Sequence, residues 1–307
     1  MDVIIRDKNF FKKDVVRNPE FKCSTGLYGA STNDFELIAK SGEKISIGDF
    51  VSHGNSEMGG CVLDRITDTA EKTVKYIGRT FRGQLENSIV THTGTWNIRG
   101  TSADMVRSII SNSRVNYSVE PSGNTTTRSV TIPLGANALQ AIDLVLSACG
   151  EKMLITVDND GVHIQLKRID TMNFDASQVD VVVDENKLMP TALHARNDDG
   201  VAVSVYIQSD GSVGSSRYYN GFNAVEIYQE VSAENSSEMR SIASDKLIAI
   251  RKSMNASEIN VKIEQADVGD TVNATVQEHG IKATQTVCNK KLEITNKAEL
   301  ITFETGG

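Results

Sequence analysis

The sequence predicts a mainly β chain with α+β parts: two tandem, tube-like β-barrels with a small α/β domain inserted. Three observations carry this expectation. Short runs of alternating apolar and polar residues recur at close spacing, split by Gly, Asp and Asn, as in a small antiparallel barrel or sandwich. Helical periodicity is confined to two stretches between about 95 and 170 and one near 233–253. A short Gly-Asp motif near residue 48 returns near residue 269. The expected boundaries are 1–94 for the first barrel, 95–172 for the α/β insert and 173–307 for the second barrel.

The organising stretch runs from Asn33 to Val90. Strands are expected at Asp34 to Ile38, Lys44 to Ile47, Phe50-Val51, Cys61 to Ile66 and Thr73 to Ile77, because Ile45/Ile47, Val62/Ile66 and Val74/Tyr76 alternate with polar neighbours. Before it, Val3-Ile4-Ile5 reads as a strand, followed by a polar segment with Pro19 to Phe21 and a loop formed by Gly26, Gly29 and Ser31-Thr32-Asn33. Thr80 to Ser88 is a short helix or turn, with Phe81 and Leu85 one helical turn apart. Ser102 is the expected N-cap of a helix bearing Met105, Val106, Ile109 and Ile110 on one face. Strands at Val115 to Val119 and Ser129 to Ile132 follow, then a helix from about Asn137 that Gly150 stops. Met153 to Val157 and Val162 to Leu166 flank Asp158-Asn159-Asp160-Gly161, a hairpin signal.

Beyond Asp180, strands are expected at Val181 to Val183, Ala192 to Arg196 and Val201 to Ile207. A third helix spans 233–253, with Met239, Ile242, Leu247 and Ile250 along one side. Strands at Ile259 to Ile263, Lys282 to Val287, Leu292 to Ile294 and Leu300 to Phe303 close the chain. The motif Ile47-Gly48-Asp49-Phe50-Val51 is answered by Val268-Gly269-Asp270-Thr271-Val272. Gly takes a dihedral closed to other residues, and Asp accepts nearby backbone N–H groups. Gly48, Asp49, Gly78, Gly269 and Asp270 are therefore the expected structural turns.

Composition narrows the function classes. The 307 residues carry a formal net charge of -8, and phosphate binding needs a clustered positive field, so sequence-specific nucleic-acid binding is not expected. The apolar fraction of 39% is that of a folded soluble chain. No signal peptide is read at Met1 to Asp7, and the most apolar stretch, Ala138 to Cys149, is too short to span a bilayer; no membrane anchor is expected. The four cysteines (Cys23, Cys61, Cys149, Cys288) are scattered, as free thiols packed like small apolar groups.

No active site is visible. The five histidines (His53, His92, His163, His194, His279) lack metal-ligand spacing. Gly54 to Gly59 resembles a nucleophile elbow only loosely and lies between strands. Asp158 to Gly161 opens like a calcium loop, but no glutamate closes it. Neither a catalytic constellation, a cofactor nor a metal is expected.

The residues do resemble a known family. Asn33-Asp34-Phe35-Glu36-Leu37, the Ile47-Gly48-Asp49 turn, Val62 to Ile66 and Tyr76-Ile77-Gly78-Arg79-Thr80 followed by Leu85 and Ile89-Val90 look like the N-terminal region of baseplate hub, or tail-associated hub, proteins of long-tailed phages and related contractile injection systems. The unit at 95–170, the segment Val181 to Tyr206 with Asn186-Lys187-Leu188, and Val268 to Val272 extend the resemblance over nearly the whole chain. Asn87-Ser88-Ile89-Val90 departs from it in lacking an arginine before Ile-Val. The resemblance implies a non-enzymatic structural protein of the virion tail or a phage-tail-like particle, made in the host bacterial cytoplasm. It implies a homotrimer adapting a sixfold tail tube to a threefold tip and forming part of the DNA or effector conduit. Its partners would be the tail tube or distal tail protein, a tail spike or tip protein, and the tape measure protein. A tail-tip cell-wall hydrolase would need a nucleophile or convergent carboxylates, and a carbohydrate-binding adhesin module would need aromatic platforms, whereas aromatics make up 6% and Trp96 is the single tryptophan.

Overall fold

The computed structural model describes residues 2–306 apart from 93, 95, 176–178, 184–188, 199, 234, 255–256, 262–264, 277–280 and 296–297. Strands hold 46% of the chain and helices 18%, so the protein is mainly β with several sheets, and no closed barrel occurs among the described residues. Two units divide it: Met1–Phe174 with Val261–Asn273 and Thr284–Gly306, and Asp175–Asn260 with Ala274–Ala283 and Gly307. The expected Asn186-Lys187-Leu188 match lies outside the described residues.

In chain order the first unit contains β1 (Asp2–Arg6), β2 (Lys12–Arg17), β3 (Glu20–Gly26), β4 (Asp34–Lys40), β5 (Phe50–His53), β6 (Gly59–Asp68) and β7 (Thr73–Thr80). There follow α1 (Phe81–Glu86), β8 (Trp96–Gly100), α2 (Ser102–Ser111), β9 (Ser118–Val119), β10 (Arg128–Ile132), α3 (Ala138–Cys149), β11 (Glu151–Val157), β12 (Val162–Arg168) and β13 (Thr171–Asp175). Next come β14 (Val179–Val183), β15 (Ala192–Arg196), β16 (Ala202–Ile207), β17 (Val213–Gly214), a 3₁₀ turn at Gly221–Asn223, β18 (Glu226–Glu230), α4 (Ser236–Met254) and β19 (Ser257–Val261). β20 (Thr271–Val276), β21 (Ile281–Ile294) and β22 (Glu299–Gly306) end the chain.

The main sheet runs β13-β20-β21-β3-β4-β7-β6-β5-β1-β2, with β22 also paired to β21. Alternation along β3, β4 and β7 sends Phe21, Cys23, Phe35, Leu37, Val74 and Tyr76 inward, where they meet Val3, Ile5, Leu292 and Ile294 from β1 and β21. The first strand and the next-to-last strand thus share one core. The sheet curls enough to bring Glu299, at the start of β22, within 3.3 Å of His53 at the end of β5.

Two short strands of the N-terminal segment went unseen in the sequence. β2 and β3 are largely polar on one face, which masks their alternation. Conversely, Lys44 to Ile47 is not a strand, because Ser46 donates its N–H to the Asp49 carboxylate and the chain turns at Ile47-Gly48. The expected strands Lys282 to Val287 and Leu292 to Ile294 are one strand, β21.

The second core of this unit belongs to the α/β part. α2 and α3 pack Met105, Ile109, Leu139 and Ile142 against Met153, Ile155 and Ile164 of the β11-β12 hairpin, with Phe81 and Leu85 of α1. Thr101, not Ser102, caps α2: its hydroxyl accepts the Asp104 N–H at 3.3 Å and donates to the Asp104 carboxylate at 2.6 Å. Asn137 caps α3, and Gly150 ends it at φ 67°. Three links tie this part to the sheet. Val157 donates its N–H to the Asn55 carbonyl. Arg6 donates to the Val157 carbonyl at 3.5 Å. Arg82, 1% exposed, pairs with Glu57 at 2.9 Å and donates to the Met153 carbonyl.

The second unit holds the four-stranded sheet β17-β16-β15-β18 and the pair β14-β19. α4 covers one face of the larger sheet, packing Met239, Ala243 and Leu247 on Leu193, Val205 and Ile207.

Asp143 on α3 yields a pH prediction. Burial pushes its carboxyl up to about 6, against the opposing pull of the Tyr28 N–H that it accepts at 2.8 Å and of the nearby Arg82. The unfolded carboxyl titrates near pH 4. The folded chain therefore binds this proton more tightly, and the stabilisation it brings is complete below about pH 4 and lost as pH rises through about 6. Asp143→Asn, which cannot ionise, should match the parent near pH 4 and exceed it by about 2–3 kcal/mol above pH 7 in chemical denaturation.

Candidate functional site: a repeated Gly-Asp turn

The two Gly-Asp motifs fold into the same hydrogen-bonded object. At the first, Gly48 donates its N–H to the Val62 carbonyl at 2.9 Å, Val62 donates to the Asp49 carbonyl at 2.9 Å, and Asp49 donates to the Ser46 carbonyl at 3.1 Å. At the second, Gly269 donates to Val287 at 2.8 Å, Val287 to Asp270 at 2.7 Å, and Asp270 to Asp267 at 3.1 Å. In both, the aspartate side chain accepts the N–H three residues earlier at 2.8 Å, from Ser46 and from Asp267. The glycines have φ of 89° and 101°, a region that β-carbons disfavour.

The likeness extends beyond the turns. Each turn feeds a strand (β5 or β20) whose neighbour (β6 or β21) carries the valine of the motif. The pairing of that neighbour with the next strand then slips by one residue just after the valine: between Val62 and Asp64 in β6, and between Val287 and Asn289 in β21. A bulge bends and twists a strand at a set point. The order β1-β5-β6-β7 is thus repeated by β13-β20-β21-β22.

Both aspartates are buried, 6% and 3% exposed, and each is neutralised by a lysine. Lys13 Nζ lies 2.7 Å from Asp49 and is half-buried. Lys152, on β11, is fully buried and lies 2.6 Å from Asp270, 2.9 Å from Asp170 and 3.1 Å from Asp267. Burial alone would pull the Lys152 ammonium down, but its three carboxylates outweigh this and hold it charged well above the usual lysine range. The same contact holds the Asp170 carboxyl below its usual range. Asp170 also donates its backbone N–H to Asp270 at 2.9 Å, so β13 enters the sheet anchored to the turn.

Of the expected turn residues, Gly48 and Asp49 meet in one turn and Gly269 and Asp270 in the other. Gly78 is not in a turn. It sits inside β7 because a β-carbon there would lie 2.0 Å from the Cys61 carbonyl oxygen and 2.4 Å from the Phe35 ring. The second motif puts a different residue in its place: Val62 faces Gly78, whereas Val287 faces Thr305. The lysines were missed, since nothing in the sequence around Lys13 or Lys152 points to a partner so far along the chain.

Other chemistry is sparse. His163 bridges Ser118, whose hydroxyl lies 2.6 Å from Nδ1, and Asp158, 2.9 Å from Nε2; this exposed relay fastens β9 to the β11-β12 hairpin. The four cysteines are free thiols. Among the described residues no cluster could hold a metal ion, and no helix is long and apolar enough to cross a membrane.

Comparison with known proteins places this geometry. No family model and no curated protein matches the sequence. Solved structures do match. The 43 kDa tail protein of prophage MuSo2 from Shewanella oneidensis is similar at TM-score 0.57 and 12% identity, over 99% of this chain and 98% of that one. Prophage tail protein gp18 from Listeria monocytogenes is similar at 0.55 and 12%, over 100% and 94%. A tail protein from Neisseria meningitidis is similar at 0.53 and 12%, over 99% and 96%. The chain has the fold of these tail proteins. At 12% identity what is shared is backbone architecture.

Substitution separates the two turns. A β-carbon at Gly48 meets open space, whereas one at Gly269 would lie 2.9 Å from the Lys152 β-carbon. Gly48→Ala should cost about 1–2 kcal/mol from backbone strain alone, and Gly269→Ala about 2–3 kcal/mol, compared by thermal denaturation. Lys152→Met, which leaves Asp270 buried without its cation, should cost about 3–5 kcal/mol by the same measurement.

Proposed function

We propose that this protein is the structural baseplate hub of a phage tail or phage-tail-like particle. Three copies form a ring in which two barrel-like halves of each subunit alternate, giving six similar positions around a threefold axis. Such a ring adapts a sixfold tail tube to a threefold tip and forms part of the conduit for DNA or effector. The observation that carries this reading is the repeat of the Gly-Asp turn, with the same backbone hydrogen bonds, a lysine on each aspartate and the same following bulge. Two halves of one chain have reason to keep the same turn if they occupy equivalent places in a symmetric assembly. The similarity to tail proteins over 94–98% of their lengths supports the same reading.

Strand edges fit it too. β7 is laddered on both sides, by β4 and β6, while its counterpart β22 pairs with β21 alone among the described residues, and β2 pairs only with β1. Open edges invite a further strand, and a ring of copies would cover them. The net charge of -8 suits a channel that passes DNA without binding it. In this role the protein is not an enzyme and takes no cofactor. Its neighbours would be the tail tube or distal tail protein, the spike or tip protein and the tape measure protein, and its place the virion tail after synthesis in the bacterial cytoplasm. Each barrel would close only in the assembly.

Light scattering coupled to size exclusion tests the reading, first alone and then with the cognate distal tail protein. A mass of three chains is expected in at least one of the two; a single chain in both overturns the proposal.

A further inference from the structure

The repeat of the two halves reaches past the bulge. Arg65 lies over the Tyr76 ring at 6.0 Å, and Lys290 lies over the Phe303 ring at 5.7 Å. Each cation stands three residues after the valine of its motif and faces its aromatic partner across the ladder. β6 and β21 are therefore equivalent, residue for residue, as far as these pairs.

On the side away from those partners the two strands differ. There β21 is laddered by β3, from Asn289 opposite Gly26 to Ile294 opposite Phe21. The corresponding stretch of β6, Asp64 to Asp68, has no such neighbour. β5 pairs with β6 only from Gly59 to Cys61, the turn clamps Val62, and no other described strand lies on that side. Exposure follows the difference. Asn289 and Leu292 are 2% and 1% exposed, while Asp64 and Thr67, at the same places in β6, are open to solvent. Leu63 and Ile66 are 54% and 50% exposed along this half of β6. An unpaired edge bearing large apolar side chains invites a further strand.

The repeat also says which strand. β3 ladders with β4, and β4 ends nine residues before Asp49. β14 ladders with β19, and β19 ends nine residues before Asp270. β14 is thus the counterpart of β3, with the four-stranded sheet and α4 inserted in the chain between it and β19. Its sequence, Val-Asp-Val-Val-Val, is strongly β-forming. Among the described residues β14 ladders with β19 alone, so its other edge is open.

We infer that Asp64 to Asp68 of β6 is the docking edge for β14 of a second copy of this chain, which adds there antiparallel, as β3 does on β21. The inference rests on the hub reading and names the contact that joins one subunit to the next. Within a chain the two halves meet through β21 and β3; between successive chains they meet through β6 and β14. Main-chain hydrogen bonds carry strand addition of this kind, and side chains at alternate positions select the partner. A valine-rich strand suits an edge that carries Leu63 and Ile66.

The test places a photoreactive residue, p-benzoylphenylalanine, at position 66 of the full-length protein. This variant is mixed with isotope-labelled parent, with the distal tail protein added where the parent needs it to reach a mass of three chains. Irradiation should join the variant to the labelled parent through the peptide that contains residues 179–183. A cross-link to any other segment, to β14 of the same chain or to the tail protein, or no cross-link, overturns the inference. Ile66→Lys puts a charge on the same exposed edge and should lower the fraction of chains found as trimer by about tenfold or more, at an unchanged melting temperature. Undiminished assembly of that variant overturns the inference as well. The two readings fail separately: a single-chain mass throughout removes the hub reading and this contact with it, whereas a trimer cross-linked elsewhere refutes this edge and leaves the ring standing.

Discussion

A buried aspartate that needs a cation is the constraint on which the first unit depends. A carboxylate removed from water survives only if backbone N–H groups and a counter-charge reach it. Asp49 and Asp270 meet that condition in the same way, with an N–H from three residues upstream and a lysine from another element. The requirement fixes the glycine before each, because the chain has to reverse with positive φ to aim the carboxylate back at its own turn. It also fixes where the next strand begins, since the glycine N–H and aspartate carbonyl clamp the valine across the ladder. One polar requirement thereby sets turn, register and the bulge that bends the sheet. Lys152 carries the constraint further, because it comes from the α/β part and thus links its hairpin to the return of the chain into the sheet.

Elements with a strong period or a strong turn residue were legible. The β11-β12 hairpin around Asp158 to Gly161, the helix stopped by Gly150 and the helix near 233–253 all occupy the places that their apolar spacing requires. Lys44 to Ile47 shows where alternation misleads: Ile45 is buried and Ile47 is exposed, so the residues do not share a face, and the local hydrogen bond to Asp49 outcompetes a ladder. β2 and β3 show the reverse, strands hidden by polar residues on their outer face.

The turns themselves were visible as a five-residue echo, but their chemistry was not. Lys13 is 36 residues from Asp49 and Lys152 is 118 from Asp270, separations at which no local pattern operates. Gly78 was read as a turn because glycine and turn go together in sequence. Its real reason, a carbonyl and a phenyl ring too close for a β-carbon, exists only once three strands are side by side.

The central claim is that two halves of one chain are alike because they occupy alternate positions in a ring. End-on electron-microscope averages of the purified assembly test it most directly. The account predicts six lobes around a central channel, alternating in outline so that the strongest exact symmetry is threefold while the inner wall is close to sixfold. Averages with three lobes only, or with no channel, would contradict it.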